Sequence, residues 1–339
     1  MPIPFAPPLA PMLAKARDEI PDGDGWRYEP KWDGFRTIVF IDAGEVHLGS
    51  RTQKPMQRYF PELLPVLREA LPRSCVVDGE IVLSVEGRLE FEVLQQRIHP
   101  ADSRVRMLAE QTPVSFVAFD MLATARSDLR GKPLTERRER LEKAFGAPPA
   151  TIARILEPGP AVHLSPSTPD HEVAAAWLRD LEPAGLDGII AKRSEDPYLP
   201  GKRGWVKVKR RSTADVVVAG YRVHKDGAGV GSLLLGLYDE TGALRHVGFT
   251  SAFSAKQRRE LLEVLAPLEG GDAFGAGMGP NQPSRWRQDE AEWVPLEPRL
   301  VAEVAYDHTT GHRFRHGTTI VRWRDDKRPE ECTIDQLQS

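Results

Sequence analysis

Cysteine is almost missing from this chain: Cys75 and Cys332 are the only two among 339 residues. Two isolated thiols build neither a four-cysteine zinc site nor a disulfide framework, which points to a reducing interior. An excess of one charge is missing as well. The 46 lysines and arginines face 49 aspartates and glutamates, so the net charge is −3 and the whole is no polybasic binder. Any nucleic-acid contact has to come from local basic stripes. No apolar run approaches the length that crosses a membrane. The lead Met1-Pro2-Ile3-Pro4-Phe5-Ala6-Pro7-Pro8-Leu9 is apolar, but prolines break it and no basic residue opens it. It reads as an extended segment and not as a signal peptide. These absences imply a cytoplasmic protein with no membrane partner.

What is present is an ordinary soluble composition, 28% charged and 40% hydrophobic,. The length suggests two domains, each able to bury its own core. In the first part, strand-like and helix-like segments alternate. Cys75-Val76-Val77 and Ile81-Val82-Leu83 read as a strand interrupted by Asp78-Gly79-Glu80, and Pro113 to Met121 as another strand,. Thr135 to Phe145 reads as a helix with Thr135 as cap and Gly146 as stop,. Thr168-Pro169 opens a second helix, in which Val173, Trp177 and Leu181 share one face until Pro183 ends it,.

The character changes near Arg211-Ser212. Beyond it, Asp215 to Gly220, Ser232 to Tyr238 and His246 to Phe249 are short strands at close intervals, the pattern of a small β-barrel,. One helix interrupts them, with Ser254 and Gln257 at capping-box spacing,. Gly270 to Pro283, rich in glycine and proline, reads as a surface loop,. The expected domains are residues 1–211 and 212–339.

The chemistry-bearing residues come in a fixed order. Glu29-Pro30-Lys31-Trp32-Asp33-Gly34-Phe35-Arg36 is followed by Val77-Asp78-Gly79-Glu80 and Phe119-Asp120. Asp187-Gly188-Ile189-Ile190-Ala191-Lys192 and Trp205-Val206-Lys207-Val208-Lys209 complete it. Lys-x-Asp-Gly alone describes an exposed charged strand and a turn just as well. A lysine attacks only when neutral, and a reference pKa of about 10.4 leaves roughly one part in a thousand neutral at physiological pH. A nucleophilic lysine therefore needs cations, a metal or desolvation nearby. Lys192, Lys207 and Lys209 are candidate cations. In an extended segment Lys207 and Lys209 point one way while Val206 and Val208 pack inward. Two such ammonium groups repel unless an anion lies between them, a part that a nucleotide phosphate can play. Pro30 extends Glu29, which places Glu29 and Lys31 on one face, and Gly34 permits a tight turn or close backbone approach. Asp78 and Glu80 also alternate onto one face, where they suit a ribose hydroxyl and a magnesium ion. As an Asp-Gly pair they equally suit a turn. Phe119 is either core or a platform for a purine ring.

This ordered set resembles the covalent nucleotidyltransferases, and most closely the short bacterial ATP-dependent DNA ligases of the ligase C and ligase D type. The resemblance covers nearly the whole chain. It extends to Pro11-Met12-Leu13-Ala14, to Phe91-Glu92-Val93-Leu94-Gln95-Gln96-Arg97 and to the terminal Arg322-Trp323-Arg324-Asp325-Asp326-Lys327. It implies an α+β protein: a nucleotidyltransferase (ATP-grasp-like) catalytic domain followed by a C-terminal OB-fold β-barrel. Lys31 is similar to the adenylated nucleophile, Glu29 to the residue that reads the adenine amino group, and Phe119 to the purine platform. Arg36 and Arg51 resemble the arginines that hold AMP and the nick phosphate. Glu80 resembles the ribose or metal carboxylate, and Lys207 and Lys209 the α-phosphate lysines. Lys192 closes the fourth motif beside the nucleotide. Arg324 and Lys327 resemble the pair brought over the departing pyrophosphate. Asp187 stands where the family usually has glutamate at a metal; it is one methylene shorter, so a bridging water is the alternative to direct coordination.

The implied substrates are ATP and nicked duplex DNA, with magnesium or manganese as metal. The implied reaction has three in-line displacements at phosphorus, in which catalysis rests on positioning and charge neutralisation. Basic stripes at Arg203 to Arg211, Arg313 to Arg328 and Arg51, Lys54, Arg58 flank the expected site, which favours phosphate contacts with little sequence readout,. With only a proline-rich lead ahead of the catalytic domain, clamping a duplex is expected to need domain closure or a partner such as a DNA-repair protein. The chain is expected to be a monomer, cytoplasmic and on the nucleoid when it acts. The alternatives are an RNA ligase or another covalent nucleotidyltransferase, and a silent nucleic-acid-binding protein that keeps the fold. Two cysteines leave no zinc site of the kind an NAD-dependent ligase is expected to carry.

Overall fold

Strands carry more of the regular structure than helices in both halves of the chain. The computed structural model describes residues 2–210, 212–227, 229–271, 273–275, 292–307, 309–315 and 317–337. Much of the Gly270 to Pro283 stretch, and Arg211, lie outside the described residues. The chain divides into two compact units, Met1–Arg210 and Arg211–Ser339.

The first unit holds two principal sheets. One runs Val162–Leu164, Ser115–Thr124, Cys75–Val82, Phe35–Asp42 and Glu45–Ser50 in spatial order. The other runs Leu13–Arg17, Arg203–Lys209, Gly188–Arg193 and Trp26–Pro30. In this second sheet the period of two separates the faces cleanly. Ile189, Ala191, Val206 and Val208 turn to a cluster with Trp26, Tyr28 and Ala174. Ile190, Lys192, Trp205 and Lys207 are left for the opposite face. There Trp205 packs with Ile38, Val76 and Val117, so the sheets meet through a shared apolar layer. The outer face of the first sheet is covered by Leu63, Leu67 and Leu141 from two helices, Leu63–Ala70 and Leu134–Phe145.

Asp78-Gly79-Glu80 is not a turn. Cys75–Val82 is one continuous strand, antiparallel to both neighbours, with its register to Ser115–Thr124 slipping between Asp78 and Gly79. Gly79 is needed because a Cβ there would run into the Phe116 ring and stand 2.5 Å from the Val117 carbonyl oxygen. Gly79→Ala is therefore expected to destabilise the first unit by about 1–3 kcal/mol through overpacking. An unchanged denaturant midpoint would show that the neighbouring strand gives way freely.

Two helix starts also differ from expectation. Leu134–Phe145 begins one residue early, so Thr135 lies inside the first turn and its N–H donates to the Ser194 carbonyl at 3.1 Å. Gly146 ends it in the left-handed region, as expected,. His171–Asp180 is capped by Asp170, whose carboxylate accepts from the Glu172 and Val173 N–H groups at 2.8 and 3.4 Å. That carboxylate caps where the Thr168-Pro169 reading had none. Val173 is exposed, while Ala174, Trp177 and Leu178 form the packed face.

In the second unit, five strands run Leu244–Thr250, Val230–Tyr238, Ser212–Val223, Val294–Tyr306 and Thr319–Trp323. A bridge from Thr250 to Thr318 joins the two edges, which curls the sheet into the expected OB-type barrel,. Helix Ala255–Leu265 carries the full capping box between Ser254 and Gln257, and its Leu261 and Leu265 enter the barrel core,.

Each unit holds a histidine whose surroundings favour the neutral form, buried His163 in the first and half-buried His246 in the second. Burial, with Arg154 nearby, lowers His163 to about 4. Burial, then Arg313 and Arg222, lowers His246 to about 3. Below the usual histidine range near 6.5 the unfolded chain takes up these protons and the folded one does not. Stability is therefore lost as pH falls from about 6.5 towards 4, by at most ~1.4 kcal/mol per pH unit for each group. Replacing either histidine by glutamine should flatten melting temperature against pH between 7 and 5; an unaltered slope would discount that histidine.

Candidate active site

The strand faces just described converge on one cavity of about 400 Å³, within the usual range for a small-molecule site,. Lys31, Glu29, Arg36, Arg51, Glu80, Phe119, Lys192 and Lys207 all line it, together with Trp32, Ile190 and Trp205. Asp187 and Lys209 do not line it; Asp187 reaches Lys31, and Lys209 reaches Asp187. Arg324 and Lys327 lie in the second unit, where both grip Asp215, at 2.9 and 2.7 Å.

Lys31 follows strand Trp26–Pro30 and is held by its N–H, which donates to the Gly188 carbonyl at 2.9 Å. Its Nζ lies 2.7 Å from Asp187 Oδ1, and Lys209 Nζ lies 2.8 Å from Asp187 Oδ2. The carboxylate thus bridges Lys31 and Lys209, a different pair from the Lys207 and Lys209 between which the sequence reading expects an anion. Asp187, expected at a metal, has both oxygens engaged by ammonium groups. Gly34 serves a close approach, but to protein: a Cβ there would collide with the Ile81 carbonyl oxygen.

The buried end of the cavity is built around Glu29. Its Oε2 accepts from Lys192 Nζ at 2.7 Å, and both residues are buried. The Lys192 ammonium also lies 4.6 Å from the Phe119 ring and 4.3 Å from that of Trp205,. Burial lowers the Lys192 pKa, against the pull of Glu29 and Asp120. Lys192, offered by the sequence as a cation beside Lys31, therefore spends its charge on Glu29 and two aromatic faces.

Arg36 forms two 2.6 Å hydrogen bonds to Asp78, with its guanidinium 4.6 Å from Phe119 and 4.7 Å from Trp205. Tyr198 donates to the same carboxylate at 2.6 Å, and the Met12 N–H donates to Tyr198 Oη at 2.8 Å. Burial opposes the Arg36 charge, but Asp78, then Tyr198 and Glu80, carry its pKa above the ordinary value. Asp78, paired with Glu80 in the sequence reading, is fully buried and holds Arg36 instead of facing a ligand. Glu80 does face the cavity. Burial first, then Asp33 and Asp78, push its carboxyl up to about 8 against Arg36 and Lys31.

Trp205 lines the cavity as well, because it alternates with Lys207 on one face of strand Arg203–Lys209,. Tyr198 and Arg138 carried no signal at all, because their partners are 120 and 109 positions away.

Residues 11–209 match the family described as ATP dependent DNA ligase domain, and residues 226–327 match the ATP dependent DNA ligase C terminal region. The chain belongs to the ATP-dependent DNA ligase family. DNA ligase C1 of Mycolicibacterium smegmatis is 47% identical over all of this chain and 96% of its own length. DNA ligase C of Mycobacterium tuberculosis is also 47% identical, over all of this chain and 96% of its own. The multifunctional non-homologous end joining protein LigD of Mycobacterium bovis is 32% identical over 95% of this chain, which spans 39% of that longer protein. A solved Lig E DNA ligase shares the fold with a TM-score of 0.54 at 17% identity, over 92% of this ligase and 99% of that one. This ligase thus joins a nucleotidyltransferase unit to an OB-fold unit, and its activity is ATP-dependent DNA ligation.

Proposed function

We propose that Lys31 takes AMP from ATP and that the enzyme then seals 5′-phosphate/3′-hydroxyl nicks in duplex DNA. What carries this reading is one cavity in which the Lys31 amine, the Glu29 carboxylate and the Lys207 ammonium share a wall. In the first step the neutral amine attacks the α-phosphorus of ATP. A P–N bond forms, the bond to the pyrophosphate oxygen breaks, and pyrophosphate leaves with the electron pair. Asp187 Oδ1, 2.7 Å away, is placed to accept the proton the amine sheds. The nick's 5′-phosphate oxygen next displaces Lys31 from the adenylate. The 3′-hydroxyl finally displaces AMP and closes the strand.

Glu29 and Phe119 face the base in this reading, Lys207 the α-phosphate, and Arg51 the AMP or the nick phosphate at the rim. Glu80 suits a magnesium or manganese ion, which is commonly held by one or two carboxylates and the substrate's own phosphates. A carboxyl pushed up to about 8 by burial and neighbouring carboxylates is the kind of group a divalent cation relieves. Among the described residues no group of three or more His, Cys, Asp or Glu forms a metal cage without substrate. The metal, when bound, supplies charge neutralisation at phosphate oxygens.

The end-joining name of one relative and the repair setting it implies make DNA break repair the proposed context, with the enzyme acting as a monomer beside repair proteins on the nucleoid. Incubation with α-labelled ATP and magnesium should leave acid-stable label on the protein. Failure to label would instead favour a silent nucleic-acid-binding protein that keeps the fold.

A further inference from the structure

We infer that Arg138 is a positioning residue for nucleotide choice: it fixes the Glu29 carboxylate so that the cavity takes a 6-amino purine and turns away a 6-oxo purine. This rests on the proposal that Glu29 faces the base. Arg138 is not part of the cavity wall. It projects from helix Leu134–Phe145 behind Glu29, and is 3% exposed. Its Nε donates to Glu142 at 2.7 Å and its Nη2 to the Ser165 carbonyl at 2.8 Å. Nη1 is buried without a hydrogen-bond partner and stands 4.0 Å from Glu29 Oε1.

Leaving a buried guanidinium donor unsatisfied is costly unless something else uses it. Here the other Glu29 oxygen is already bound by Lys192. With one cation on one oxygen, the carboxylate still turns about its last side-chain bond. A second cation beside the other oxygen removes that freedom. Arg138 is itself braced by the cavity wall, because Ser165 accepts from Trp32 Nε1 through its hydroxyl, at 3.0 Å, while its carbonyl accepts from Arg138. A carboxylate only accepts hydrogen bonds. Held in place, it pairs with an exocyclic amino group and faces a carbonyl oxygen lone pair to lone pair. Free to turn, it lets water intervene and the distinction shrinks.

The test compares ATP with inosine triphosphate as sole nucleotide, reading kcat/KM for pyrophosphate release during self-adenylation. Arg138→Gln is expected to lower the ATP-to-ITP preference about tenfold, the net worth of one ordinary hydrogen bond, because Lys192 still holds the other Glu29 oxygen,. Arg138→Lys, which keeps the charge but cannot span three partners, should lower it by about threefold. If Arg138→Gln fails to melt cooperatively, Arg138→Lys alone decides. A preference unchanged from wild type, even with slower turnover for both nucleotides, would mean that Arg138 only supports the fold and would overturn the inference. Glu29→Gln separates the two levels. If it collapses the preference while the Arg138 variants do not, the base reading stands and this inference falls; if it leaves the preference intact, both fall.

Discussion

Lys31→Ala should abolish the covalent adenylate and slow sealing of an ordinary nick by more than about a thousandfold. Among the described residues, the other lysines of the site are placed for other parts. Lys209 shares Asp187 with Lys31 but lies outside the cavity wall, and Lys192 is buried against Glu29 and two rings. Lys207 lines the cavity from strand Arg203–Lys209, where the proposed reaction gives it the α-phosphate. The last displacement does not need the nucleophile. A nick that already carries AMP should therefore still be closed by the alanine variant, which also shows that it is folded. Labelled protein in the variant would move the nucleophile elsewhere. Loss of both activities with a cooperative melt would mean that Lys31 also serves the final step.

Alanine at Arg324 and Lys327 should divide the reaction differently. Both side chains are gathered on Asp215, Arg324 through two bonds of 2.9 and 3.0 Å and Lys327 through one of 2.7 Å. Asp326 adds two 2.9 Å bonds to Arg324. Such a preassembled pair of cations suits a leaving group that gathers negative charge, and pyrophosphate leaves only in the first step. The double variant should lose about a hundredfold or more in adenylate formation. Sealing of pre-adenylated nicks should fall by less than about tenfold. Asp215→Asn, which loosens both cations, should show the same bias with a smaller loss. Equal loss in the two assays would end this division of labour.

Much of the cavity was legible because its residues sit on extended chain, where alternation alone assigns a face. Lys207 against Val206 and Val208 is one case, and Glu29 with Lys31 is another. The capping box at Ser254 and Gln257 was legible for a similar reason, since both partners lie within one helical turn. Asp78 was not. Its neighbour Gly79 reads as a turn signal, and only the packing of Phe116 and Val117 against that glycine keeps the strand extended. The Asp170 cap was missed because Thr168-Pro169 offered a competing start two residues earlier.

By itself, the order of lysines, carboxylates and aromatic residues determined the family and the chemistry, because each short motif carries its own face through the period of its strand. Which charge meets which was decided by tertiary structure alone. Asp187 between Lys31 and Lys209, Lys192 on Glu29, Asp78 under Arg36 and Arg138 behind Glu29 are pairings between separate segments, the first three brought together by strand pairing within a sheet and the last by a packed helix. Opposite charges in a buried layer pair by distance, and distance across a fold is not written in local spacing.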